Sequence, residues 1–307
     1  MTRKLFPVLA AIALLSAPAL RAQRDDLEPE AAPVASGIGI NLTAVARLVG
    51  GGGILFKTAV DVTNNTGTAS QVDFYFDGTT GGAPVAVNGS VRNDGTLVAQ
   101  GTGGDVAGHR NIHFDDFVDA LVQAGMLPAS VEADGVIGST LFVFGGFSKS
   151  GQGAVTARFY NDGCGGTLGQ AINGREITTS EPTKLVVTAR NTLGEADVPQ
   201  LYTNLFINNT GLTPTGSGDA SAIDVKVSAV SSKTGAAVGT PLPLSGINPG
   251  ATVAINVFTS LAIPADEDTV LVTIQVTSGT SAIDAVAVAI DDATHDGTTT
   301  KAASAAF

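Results

Sequence analysis

Lys57-Thr58-Ala59-Val60-Asp61-Val62-Thr63-Asn64-Asn65-Thr66-Gly67 returns about 145 positions later as Tyr202-Thr203-Asn204-Leu205-Phe206-Ile207-Asn208-Asn209-Thr210-Gly211. Each copy is an apolar, β-prone run that stops at Asn-Asn-Thr-Gly, the pattern of a strand entering a turn. The first copy alternates apolar and polar residues. The second is more continuously apolar and one residue shorter. A phrase recurring at this distance predicts two copies of one module. Ala46-Arg47 precedes the first phrase as Ala189-Arg190 precedes the second, and Val155 to Asp162 answers Ala285 to Asp292. A looser match relates Gly108–Phe114 to Gly250–Asn256.

The composition fits an all-β chain. Its 38 glycines stand among many Thr, Val and Ala, in short β-prone runs separated by turns. With no Trp and three Tyr, it lacks the flat apolar rings on which carbohydrate-binding modules stack sugars.

In the first module, strands are expected near 38–48, 54–63, 70–77, 83–91, 95–100, 136–147 and 153–161, separated by glycine-rich breaks. One helix is predicted over 114–124. Phe114, Phe117, Val118, Leu121 and Val122 form one apolar face, Asp115 and Asp116 suit the positive end of the helix dipole, and Gly125 ends it. In the second module, strands are expected near 184–191, 200–208, 222–231, 236–244, 251–258, 269–277 and 282–291, with no matching helix. The expected organisation is a β-sandwich over 38–162, a Gly/Thr/Ser-rich linker over 163–183, a second β-sandwich over 184–297 and a flexible tail over 298–307.

Residues 1–22 have the form of a cleaved secretory signal: Arg3 and Lys4, the apolar run Leu5–Leu15, then small residues ending at Ala22. That run is about half the ~20 residues of a spanning helix, and no other stretch is apolar for long enough to cross a bilayer. An acidic, Pro-containing leader over 23–37 is expected to be disordered. Cleavage leaves 13 basic residues against 28 acidic, a net charge of about −15, which repels nucleic acid and anionic lipid. The single cysteine, Cys164, rules out an internal disulfide.

Reactive constellations are sparse. His109 and His113 precede the predicted helix, and the residue between them on a strand face, Asn111, is a poor zinc ligand. They read as ordinary polar positions. The acidic turns Asp266-Glu267-Asp268 and Asp291-Asp292, with Asp296, offer clustered oxygens of the kind calcium takes. This makes Asp266, Asp268, Asp291, Asp292 and Asp296 candidate calcium ligands, although their spacing is not that of the Asp-x-Asp-x-Asp-Gly loop. No Gly-x-Ser-x-Gly elbow and no phosphate-binding loop are present.

The repeated Thr-x-x-x-x-x-Asn phrase, Ala157-Arg158-Phe159-Tyr160-Asn161 with Gly166-Thr167-Leu168-Gly169-Gln170, and the terminal Ile290-Asp291-Asp292-Ala293-Thr294-His295-Asp296 resemble tandem modules of secreted bacterial proteins. That resemblance implies immunoglobulin-like β-sandwiches and export, and brings no active site with it. Together these readings predict a secreted, non-enzymatic structural or adhesion-type protein of the cell surface, matrix or periplasm. Its partners would be other surface or matrix proteins or glycans. The alternatives are a calcium-dependent binding or scaffold protein and a hydrolase using clustered carboxylates.

Overall fold

The computed structural model describes residues 37–49, 55–81, 83–102, 105–161, 168–177, 182–192, 201–212, 220–291 and 297–304. The expected signal, nearly all of the leader, Cys164, Asp292 and Asp296 lie outside these.

The fold is predominantly β, built from antiparallel strands. The first half opens with β1 (Gly37–Val49), β2 (Leu55–Asn64), β3 (Ser70–Thr80), β4 (Ala83–Val91), β5 (Leu97–Ala99), β6 (Asp105–Val106) and β7 (Asn111–Phe114). Helices α1 (Phe117–Gln123) and α2 (Val131–Asp134) follow, then β8 (Val136–Gly145), β9 (Gly153–Asn161), β10 (Leu168–Asn173) and β11 (Arg175–Glu176). The second half runs β12 (Lys184–Arg190), β13 (Leu201–Asn209), β14 (Ile223–Ser231), β15 (Ala237–Ile247), β16 (Thr252–Asn256), α3 (Val257–Ser260), β17 (Thr269–Ser278), β18 (Ile283–Asp291), β19 (Gly297–Lys301) and β20 (Ala303–Ser304).

The two halves share one strand order. In the first, an 11-stranded sheet made continuous by β1–β2 pairing of Leu48 with Phe56 and Val49 with Leu55 forms two layers, β11-β1-β8-β3-β4 and β7-β2-β9-β10. In the second, β20-β12-β17-β14-β15 faces β16-β13-β18-β19. Each first-half strand in these layers has its counterpart at the same place, and α1 is matched by the one-turn α3. Only β5, β6 and α2 are additional. The residues expected to be a linker therefore contain β10 and β11, the last two strands of the first copy. Strands β19 and β20, expected to be mostly tail, close the second. The helix expected over 114–124 begins later, because Phe114 still belongs to β7 and Asp116 is the N-cap, accepting from Asp119 N.

The registers place the copies residue by residue. Thr58 Oγ1 accepts from Ala46 N at 2.9 Å and donates to Ala46 O at 3.0 Å; Thr203 Oγ1 does the same with Arg190 N at 2.9 Å and O at 2.6 Å. Six residues on, Asn64 and Asn209 end their strands alike. Each side-chain oxygen accepts from the backbone N–H two residues ahead, and each amide donates to two carbonyls: Thr68 and Val106, or Ser221 and Ile247. The repeated phrase is thus a pair of clamps, a threonine pinning the preceding strand and an asparagine closing the turn.

Alternation explains the layers. Val270, Val272 and Ile274 of β17 are buried, while Leu271, Thr273 and Gln275 point outward. Strands β13 and β18 are more continuously apolar because both of their faces are covered. Leu205, Ile207, Ala285 and Ala287 pack in the second-half core, whereas Phe206, Val286, Val288 and Ile290 belong to the core of the first half. Inside the first half, Phe117 of α1 meets Phe74, Phe114 and Phe142, with ring centroids 5.4–5.7 Å apart.

Candidate functional site

The acidic turns are spread over both layers of the second half. Asp266 and Asp268 lie in the connection to β17, and Asp291 ends β18 in the other layer. Lys233 serves the first turn: its Nζ donates to Asp266 O at 2.9 Å and stands 3.4 Å from Asp268 Oδ1. Ser231 donates to Glu267 at 2.9 Å. Among the described residues, no three His, Cys, Asp or Glu side chains gather into a group able to hold a metal ion.

The two histidines do not converge. His109 occupies a tight turn with φ of 55°, a left-handed conformation rare outside glycine; Gly250, at the corresponding turn of the second half, has φ of 78°. His113, half exposed on β7, lies between two carboxylates, with Nδ1 3.0 Å from Asp61 and Nε2 3.1 Å from Asp115. Asn111 also donates to Asp61, at 3.1 Å. Partial burial works against the charged imidazole, but hydrogen bonds to Asp61 and Asp115 and their negative charge outweigh it, and the His113 pKa is raised. Nearby, burial raises the carboxyl of Asp116, against the opposing pull of Asp119 N–H and Arg47.

Among the described residues, the most extended side-chain network is a buried polar joint between the halves, which was not expected from the sequence. Asp284 on β18, 1% exposed, accepts from Thr43 at 2.6 Å and from Asn41 at 3.3 Å, with Arg175 Nε 3.2 Å away. Asn41 also donates to Asn208 at 3.2 Å. Asn208 donates to Ser139 at 2.8 Å and to Gly250 O at 2.9 Å, and Ser139 donates to the same carbonyl at 2.7 Å. Thr252 donates to Thr43 O at 3.2 Å. At the margin, Thr299 and Lys301 of β19 donate to Ala171 O and Asn173 O of β10. Phe206 packs edge-on against Phe159 at 6.3 Å. Chemically, this joint orients one half on the other. Asp284, Thr43, Asn41, Asn208 and Ser139 are engaged with one another across it.

No family model, curated protein or solved structure matches this chain. Among the described residues, no helix is long and apolar enough to cross a membrane.

Proposed function

We propose that the chain is an exported, non-enzymatic structural or adhesion-type interaction protein built from two tandem immunoglobulin-like β-sandwich modules. The observation that carries this reading is the joint: the most chemically capable buried side chains hold one repeat against the other. The connectivity agrees with it. Adjacent strands β1 and β2 pair with β8 and β9 in opposite layers, the crossing that immunoglobulin-type sandwiches use. A pair of sandwiches locked through a buried interface presents its outer sheet faces and loops at fixed spacing, which suits a building block or adhesion module of the cell surface or matrix.

The test is fractionation of cells producing the tagged full chain, followed by cross-linking and pull-down from the native surface. The expected result is a processed chain outside the cytoplasm, cross-linked to surface or matrix components. A hydrolytic activity that vanishes on changing a single acid or histidine would overturn the reading.

A further inference from the structure

The internal repeat shows what covers a face like the one left exposed on the second half. In the first half, the layer containing β1 and β8, together with the open end beside Phe159, receives the outer face of β16-β13-β18-β19. The same surface exists on the second half. The registers make Val186 the counterpart of Asn41, Leu271 of Ser139, and Ala303 of Arg175. Leu271 is 41% exposed, one of the two large exposed hydrophobics among the described residues. The docking face recurs as well, on β7-β2-β9-β10 of the first half, where Ala154 corresponds to Asp284 and Thr63 to Asn208.

The substitutions are coordinated across the contact. Within the chain, Asp284 meets Asn41 and Arg175, and Asn208 meets Ser139. One step along, the same places bring Ala154 to Val186 and Ala303, and Thr63 to Leu271. The buried charge and two of its three partners, Asn41 and Arg175, have been replaced together, so a docked face would leave no unpaired carboxylate or guanidinium there. Phe206 and its neighbour Phe159 become Asp61 and Ala289. Ala289 lines a shallow cleft with Leu201, Thr300 and the exposed Arg190, a basic partner for Asp61. Val186, Leu271, Ala303 and Ala154 would lie at the centre of that contact, with Asp61 and Arg190 at its margin, the layout of an apolar core inside a polar rim.

We propose that a second copy of this chain docks head to tail, setting the β7-β2-β9-β10 face of its first half on the Leu271 face of the second half and so repeating the internal step. Such a heterologous contact does not close on itself and propagates as an open chain of protomers. The proposal rests on the tandem-module reading above and names one partner for it.

Sedimentation velocity on the full processed chain tests this over a range of concentrations. Wild-type protein is expected to gain mass as concentration rises. Leu271→Lys blocks one end and Ala154→Arg the other, so each variant alone is expected to stay monomeric. Mixed in equal amounts, they should form dimers and stop there, because one free head meets one free tail. Circular dichroism confirms folding, and Val186→Lys replaces Leu271→Lys if that variant fails to fold. A wild-type chain that stays monomeric at every concentration overturns the proposal, as does association that survives both substitutions or a mixture that stays monomeric. None of these results would alter the surface pull-down, so failure here is distinct from failure of the surface-protein reading.

Discussion

Thr43 on β1 donates its hydroxyl to Asp284 on β18 at 2.6 Å, joining side chains 241 positions apart in the chain. Both are buried, and each belongs to a different copy of the repeat. The contact joins the two halves, and it accounts for charged and amide side chains at positions that would otherwise suit apolar ones.

Gly250 is predicted to tolerate no side chain. Its φ of 78° disfavours any L-residue, and a Cβ there would strike the Asp77 side chain across the joint. Gly250→Ala should therefore destabilise the chain by about 2 kcal/mol or more, read as a lower urea midpoint. Adding Asp77→Ala should recover only a fraction of the loss, because the Asp77 Cβ also lies 2.6 Å from the added one. An unchanged midpoint in Gly250→Ala would mean that the halves do not meet there.

The clamp threonines should behave as a pair. Thr58→Val strands a buried backbone N–H and C=O and Thr203→Val a partly buried pair, so each should cost about 1–3 kcal/mol in chemical denaturation. Thr63→Val, on the outward side of β2, should change stability little. If only one clamp variant loses stability, the two copies do not use the phrase in the same way.

His113 should titrate above the ordinary imidazole value of 6.5. Because its folded pKa is raised, the stabilisation it brings is complete below the unfolded value and is lost as pH rises through the folded one. The site is half exposed, so the effect on stability is small. An NMR titration, assigned with His113→Gln, should show the raised midpoint and its fall in Asp61→Asn. A midpoint indifferent to Asp61 would remove that carboxylate as the cause.

Calcium should not shift the melting temperature through the turn at 266–268, because Lys233 already serves its oxygens. A calcium-dependent rise abolished by Asp268→Asn would restore the calcium reading of that turn.

Much of the fold was legible in the sequence, and the joint was not. Over Val155–Asn161 and Ala285–Asp291 the sequence match agrees with the registers without adjustment: Ala157 and Ala287 face the equivalent residues Val60 and Leu205. The Ala-Arg match is one residue out, because the threonine clamps align Ala46 with Arg190. The closing strands passed for linker and tail because β11 and β20 are two residues long, and the segments holding β10 and β19 are rich in Gly and Thr. The joint left no local signal. Asn41 looks like an outward polar position on an ordinary strand, Arg175 falls in the expected linker, Asn208 looks like part of a turn, and only the packing of one sheet on the other brings them to Asp284.

The most direct test of that packing is a double-mutant cycle across the halves, with Thr43→Val, Asp284→Ala and the double variant unfolded in urea. A coupling of about 1–2 kcal/mol is expected for two buried side chains in direct contact. Additive single-site effects, with no coupling, would contradict the joint.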